Sequence, residues 1–482
     1  MIRNTSRKLH TVCHFYNGRW YNGLDKIRIN SNIVVSDGLS TPINYGTLNL
    51  GHNPFLNTHM YSEYGNICGR LSKYLNYGSV HYNYLVNSIL KVYPKSIQQI
   101  EGELNLTRQF LTNLSGDNIQ YILRGKSMVG DYNGQQSTDW RFPYGRVCVI
   151  TPFNFPIEIP VLQTISALVT GNIPMLHVDP RVAYPMEYFI KLMLDAGVPE
   201  NSFMFINGMG KTVEKTIVEY NPSQTIFTGS SHVARHLVSI LGGRVKVEDS
   251  GFNWKYLGSD CFNSNLALTN KILDRSFYDA YENYGQKCSS QRLLFVPNNK
   301  LNIVINHMCN YFNNSDILSK IYAPLMSVTS TDIKNYLENV DMVLQNDTKI
   351  YTAGHGKPTV IVCDIENFRK NIKMLDTEIF APIQFLCPYT SLHQVKEIVS
   401  NIRHQLTCAI VTNNITDREE LLSVSKNGTT YVGLNARTTG TLQNRWFGPG
   451  GDPLAGSIGT PESIRDCWTF NRCIISDSFV KY

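Results

Sequence analysis

The chain has 482 residues, room for about three structural units with sizeable buried cores, which excludes a small disulfide-stapled scaffold. Its 44 Lys and Arg against 38 Asp and Glu leave a net charge of +6, scattered rather than gathered into a stripe, so nothing marks a nucleic-acid surface. Hydrophobic residues reach 42%, yet no run approaches the roughly 18 apolar residues of a membrane span, and the composition reads as a soluble globular protein with no membrane partner.

Eleven cysteines, an odd number at irregular spacing with no C-x-x-C pair, argue against a disulfide framework or zinc ribbon and for a reducing compartment. Most sit among apolar neighbours, as Cys148 and Cys408 do, where free cysteine serves as a small core residue. The N-terminus carries Arg3, Arg7, Lys8 and Arg19 and meets no acidic residue before Asp25. Residues 1–14 read as a mitochondrial transit segment, or as a disordered basic tail of the same composition, with the first strand beginning near Phe15. The mitochondrial matrix is the expected compartment and the cytoplasm the alternative.

From His59 to Leu114 the apolar residues Leu71, Leu75, Leu85, Ile89, Ile100, Leu104 and Leu111 fall at helical spacing and predict two or three amphipathic helices. Tyr121 to Trp140 turns polar, punctuated by Gly125, Gly130 and Gly134, and predicts a β-hairpin or arm suited to subunit contact. After Pro143 strand and helix alternate: a strand at 146–151, a helix at 157–170, a strand at 174–177 and a helix at 185–196. Strands at 202–206 and 225–227 follow, with helices at 213–220 and 233–241. A second alternating region runs from about Glu248 to Asn427, so the expected class is α/β, with two α/β domains joined near Lys246.

Gly208 to Thr212 resembles half of a phosphate loop, but the glycine required five residues before Gly210 is Phe205, which rejects that reading. His232 and His236 share a helix face without further ligands, too few for a metal. Cys288 stands apart from the other cysteines because it follows Lys287 and precedes small serines, and a nearby cation favours the thiolate that attacks carbonyl carbon. Asn154, at the end of a strand between fixed prolines, and Glu248, ending a strand at the domain junction, occupy positions where α/β proteins place ligand groups.

Asn154, Glu248 and Cys288 occur in order with Thr225-Ile-Phe-Thr-Gly-Ser230, Gly285-Gln-Lys-Cys288 and Glu378-Ile-Phe-Ala-Pro382, and together they resemble the aldehyde dehydrogenase superfamily. The runs at 153–163, 248–255, 428–440 and 443–448 are similar to its plant-type δ1-pyrroline-5-carboxylate dehydrogenase branch, over nearly the whole chain. The resemblance implies that Cys288 is the nucleophile, that Asn154 helps hold the oxyanion, and that Glu248 activates the hydrolytic water. It implies an NAD cofactor lying against Gly229 and Ser230, with Glu378 and Phe380 at the nicotinamide end. His177 replaces the family's lysine at the adenine ribose, so weaker NAD binding is expected. Ser289, Gly450 and Gly451 would meet the substrate carboxylate, with Arg437 as an alternative anchor.

The substrate so implied is L-glutamate γ-semialdehyde, oxidised to L-glutamate in proline catabolism. Another aldehyde, or a catalytically silent member of the family, are the alternatives. The fold so implied has a Rossmann-like NAD-binding domain over 15–247, carrying a β oligomerisation arm at about 120–140, and a catalytic domain over 248–427. Residues 428–482 would return to the first domain and supply a strand to the arm, in a homodimer or larger homo-oligomer.

Overall fold

The computed structural model describes residues 9–44, 58–116, 118–249, 251–262, 265–344, 348–352, 357–371, 378–403, 405–440, 450–456 and 459–477. Residues 1–8 and the motif at 443–448 with Pro449 lie outside them. Two seven-stranded sheets organise the rest. The first runs in the order Val245–Glu248, Gln224–Thr228, Arg146–Thr151, Ile173–Val178, Met204–Phe205, His14–Tyr16 and Arg19–Tyr21. Its first five strands are parallel, and the N-terminal hairpin adds on antiparallel.

Continuous apolar runs such as Val147-Cys148-Val149 suit strands covered on both faces. Every residue of the following helix, Glu158–Val169, is buried, because it lies between this sheet and the N-terminal helices. Those helices are Thr58–Tyr74, Val80–Val92 and Ile97–Leu114; Ser79 and Ser96 cap the last two by accepting from Tyr82 N and Gln99 N.

The folded chain takes in residues that composition assigns to a transit segment ending at residue 14. His10–Val12 pairs parallel with Ile33–Val35, and Val12 and His14 are fully buried. His14 donates from Nε2 to the Gly38 carbonyl at 3.1 Å and accepts the Asn207 amide on Nδ1 at 3.1 Å. Burial holds its pKa down at about 4.

The second sheet runs Thr348–Thr352, Thr359–Cys363, Ile383–Tyr389, Gln291–Pro297, Asn253–Leu257, Thr407–Val411 and Thr429–Val432, all parallel except the first strand. The last strand belongs to this sheet, so the second unit extends past the boundary expected at Asn427. The chain then returns to the first sheet, where Val247 N donates to Leu454 O at 2.7 Å and Gly456 N to Val247 O at 2.8 Å.

Ser127–Val129, Gln136–Pro143 and Thr469–Ser476 form a separate three-stranded antiparallel arm. It starts later than the glycine pattern implies: Asn118–Leu123 is helical, because Ile119 and Ile122, one turn apart, bury into the main core.

Candidate active site

Asn154 sits between the strand Arg146–Thr151 and the helix Glu158–Val169, buried to 2% exposure. Its Nδ2 donates to the carbonyl of Gln286 at 3.1 Å, which ties it to the loop bearing Cys288. That loop turns through three consecutive left-handed residues, Asn283 (φ 55°), Tyr284 (φ 56°) and Gly285 (φ 69°). Such backbone costs about 1–2 kcal/mol per non-glycine residue and persists only where neighbours hold it. Here Tyr93 Oη donates to Asn283 Oδ1 at 3.1 Å, and Asn283 Nδ2 donates to Gln286 O at 3.1 Å. Gly285 is required, since a Cβ there would stand 2.3 Å from the Ala381 carbonyl.

Glu248 ends its strand at 1% exposure, and its carboxylate acts electrostatically on the half-buried Cys288 thiol. Burial pushes the thiol pKa well above its ordinary value, and the negative charges of Glu248 and Glu378 push it further. This reverses the expectation drawn from Lys287. Its ammonium is paired with Glu282 at 2.6 Å and offsets only part of the rise. The resting cysteine is a thiol with a carboxylate base beside it, not a pre-formed thiolate.

Asn253 draws the Cys288 loop onto the second sheet. Its Nδ2 donates to Cys288 O at 2.6 Å and Ser290 O at 2.9 Å, while its Oδ1 accepts Thr407 N at 3.0 Å. Arg292, fully buried, donates to Gly285 O and, at 2.8 Å, to Ala381 O; its guanidinium lies 3.8 Å from Glu378. The Cys288 loop and the Glu378–Phe380 segment therefore share one anchor. Desolvation raises the Glu378 carboxyl to about 8, against the pull of Arg292 and a hydrogen bond from the Gly251 amide.

Several features fit a dinucleotide. Glu378 Oε1 is buried without a hydrogen-bond partner, as a carboxylate meant for ligand hydroxyls would be. Ser230 is exposed at the N-cap of the helix Ser231–Ile240 and its side chain makes no capping hydrogen bond, and a helix start of this kind suits an anion. Gly229 packs so closely that a Cβ would meet the Phe227 ring at 2.6 Å. Phe380 meets Phe153 edge-on at 6.0 Å. His177, buried at the end of its strand, donates from Nδ1 to Ile206 O at 3.0 Å, which leaves Nε2 as an acceptor only. The single donor expected of a neutral imidazole is therefore already engaged. Asp179 grips Arg181 with both oxygens, at 2.9 and 2.5 Å, rather than standing free to repel a 2′-phosphate.

The substrate-carboxylate candidates divide. Ser289 is buried beside Cys288. Gly450 donates its N–H to Gln405 O at 3.0 Å, so the expectation that it serves a carboxylate is corrected: the amide is engaged, and a Cβ would overlap the Lys426 carbonyl. Gly451 is exposed with φ 76°. Arg437 donates to Gly440 O at 3.2 Å, and its neighbour Thr438 is fixed by two bonds: Thr438 N to Asp279 at 3.0 Å, and Thr407 Oγ1 to Thr438 O at 3.2 Å. Asp279 is itself in a fully buried pair with Lys255 at 2.7 Å.

Asp279, Arg292, Lys95 and Glu103 lie outside the motifs, and Asn253 and Lys255 fall within the run 248–255 without a role being assigned to them. A further sequence signal is a polar residue within an otherwise apolar buried pattern, as Lys255 is in Phe252-Asn-Trp-Lys-Tyr-Leu257 and Glu103 beside Ile100 and Leu104.

Residues 71–466 match the aldehyde dehydrogenase family model. The chain is 37% identical over 88% of its length, and 79% of the relative's, to the mitochondrial Delta-1-pyrroline-5-carboxylate dehydrogenase 12A1 of Arabidopsis thaliana. It has the same identity and coverage with a probable aldehyde dehydrogenase of Linum usitatissimum. Its fold matches that of a methylmalonate-semialdehyde dehydrogenase from Sinorhizobium meliloti complexed with NAD, with a TM-score of 0.81 at 17% identity over 98% of this chain and 99% of that one. A match to more than half of the chain and a relative of this similarity identify it as a member of the aldehyde dehydrogenase family, and so as an oxidoreductase.

Proposed function

We propose that the protein oxidises L-glutamate γ-semialdehyde, the open form of δ1-pyrroline-5-carboxylate, to L-glutamate with NAD as hydride acceptor. The observation that carries this reading is the convergence of Cys288, the buried Glu248 whose charge acts on its thiol, and the buried Asn154 tied to the Cys288 loop, in a chain so similar to the Arabidopsis enzyme.

Glu248 takes the proton of the Cys288 thiol, and the thiolate adds to the aldehyde carbon. The resulting oxyanion is held by the Asn154 amide and the Cys288 N–H; losing one such donor costs about a hundredfold in rate. NAD, when bound, supplies the acceptor for the hydride. Gly229, Ser230, His177, Glu378 and Phe380 hold it, His177 by accepting rather than donating. Once it has released the thiol proton to solvent, Glu248 deprotonates the water that adds to the Cys288 thioester; the sulfur leaves as thiolate and the product is a free acid. Ser289, Gly451 and Arg437 receive the substrate carboxylate, Arg437 through its forked donors.

The first sheet serves as the NAD-binding domain and the second as the catalytic domain. The exposed arm, with Val129 and Ile475 outward, offers a sheet edge to a second copy in a homo-oligomer. The matrix is the proposed compartment, in keeping with the mitochondrial Arabidopsis relative.

NADH formation by the purified protein with pyrroline-5-carboxylate, propanal and succinate semialdehyde, each with NAD and NADP, tests the reading. A strong preference for pyrroline-5-carboxylate with NAD supports it. Activity with the other aldehydes alone would keep the mechanism and reject the substrate.

A further inference from the structure

The turn that carries Asn154 opens a helix whose cap residue, Ile157, has no side chain able to accept a hydrogen bond. The first amides of a helix must find acceptors elsewhere. They find one carboxylate: Glu103 Oε1 accepts Ile157 N at 2.8 Å and Glu158 N at 3.1 Å, from 54 and 55 residues away in the chain. The other oxygen of Glu103 meets Lys95 Nζ at 2.7 Å, and Lys95 also donates to the main-chain carbonyl of Asn154 at 3.1 Å. Neither side chain is more than 1% exposed. The ammonium is enclosed by the rings of Phe155 and Tyr93, at 5.0 and 5.5 Å from their centroids.

A buried ion pair is a poor source of net stability, and two apolar side chains of similar volume often serve a core as well. What this pair supplies is direction. One carboxylate and one ammonium clamp the peptide of Asn154 from one side and the start of its helix from the other. Gln286 O holds the side-chain amide from the nucleophile loop.

We propose that Lys95 and Glu103 are positioning residues for the oxyanion donor, setting the aim of the Asn154 amide without touching substrate. This rests on the reading of Asn154 as an oxyanion donor. A shift of about 1 Å in such a group costs up to roughly a hundredfold in turnover.

The experiment is a double-mutant cycle in kcat with Lys95→Met and Asn154→Ala, accompanied by NAD binding measured by calorimetry. Lys95→Met alone is expected to lower kcat at least tenfold, leaving the Kd for NAD within about twofold. In the Asn154→Ala background the same change should have little further effect. An equal loss of kcat in both backgrounds, or none in either, would overturn the proposal. An Asn154→Ala enzyme with undiminished kcat would instead reject the oxyanion reading itself. Should Lys95→Met leave the unpaired Glu103 carboxylate too costly for folding, Lys95→Met/Glu103→Gln removes both charges, and Glu103→Gln alone keeps an acceptor for the helix amides. Either variant enters the same cycle: a loss of kcat confined to the Asn154 background supports the proposal, and an equal loss in both backgrounds overturns it.

Discussion

Asn253 donates its side-chain amide to the main-chain carbonyl of Cys288 at 2.6 Å, so the backbone of Cys288 is fixed by a residue on a strand of the second sheet. The same side chain satisfies Ser290 O and Thr407 N. The position of the sulfur is thus set by a buried three-way bridge as well as by the left-handed turn before it.

Asn253→Ala should leave those three backbone groups without partners. Each buried unsatisfied group costs about 1–3 kcal/mol, although relaxation and water recover part of it, so a stability loss of roughly 2–4 kcal/mol is expected in urea unfolding. Turnover should fall about tenfold or more, because the reacting sulfur loses its placement. Unchanged turnover in a folded variant would show that the turn alone aims Cys288.

The Cys288 thiol should alkylate slowly near neutral pH, as Glu248 and burial hold it protonated. Glu248→Gln removes a negative charge and so should lower the thiol pKa, moving the iodoacetamide inactivation profile to lower pH. Lys287→Met should change it far less, because Glu282 already pairs with that ammonium. A larger shift from Lys287 than from Glu248 would reverse the assignment of causes.

Burial pushes the Glu378 carboxyl up to about 8. Below that pH it is mostly neutral and a weaker acceptor for ribose hydroxyls; above it the carboxylate accepts fully. NAD affinity, measured by calorimetry, should therefore rise from pH 7 to pH 9, by roughly tenfold for one charge-assisted bond. Glu378→Gln should flatten that dependence and bind more weakly at pH 9. A pH-independent affinity in the parent protein would remove Glu378 from the cofactor site.

His14 has a pKa lowered to about 4, against an ordinary 6.5, because burial disfavours its charged form and the hydrogen bond to Gly38 offsets only part of that. The unfolded chain binds a proton below pH 6.5 that the folded chain refuses, so stability is present above 6.5 and lost as pH falls toward 4. The loss amounts to at most about 3 kcal/mol. The urea midpoint should drop between pH 7 and pH 5, and drop less in His14→Gln. Equal slopes would place the acid sensitivity elsewhere.

Periodicity and motif order determine a great deal here. The alternation of apolar strands and helices after Pro143 reports two α/β sheets, because strands covered on both faces must be apolar throughout. The identities of Asn154, Glu248 and Cys288 are legible because one follows a strand, one ends a strand and one precedes a strand, and because they occur in a fixed order with their neighbouring motifs. The polar, glycine-punctuated arm is legible too, though its start is displaced by the short helix Asn118–Leu123.

Tertiary structure alone decides how those groups are held and charged. A pattern reports which face of an element is buried, not which distant group will meet it there. Glu103 serves amides 54 and 55 residues on, and Asn253 a carbonyl 35 residues on. Sequence neighbours can mislead for the same reason. Lys287 stands next to Cys288 but spends its charge on Glu282, while burial, reinforced by Glu248 40 positions earlier in the chain, pushes the thiol pKa up. The amide of Gly450 is likewise engaged by Gln405, and the donor of His177 by Ile206. Hydrogen bonds and Coulomb forces act over a few ångströms of space whatever the separation along the chain, so the chemistry of these residues became readable only once the fold had brought their partners together.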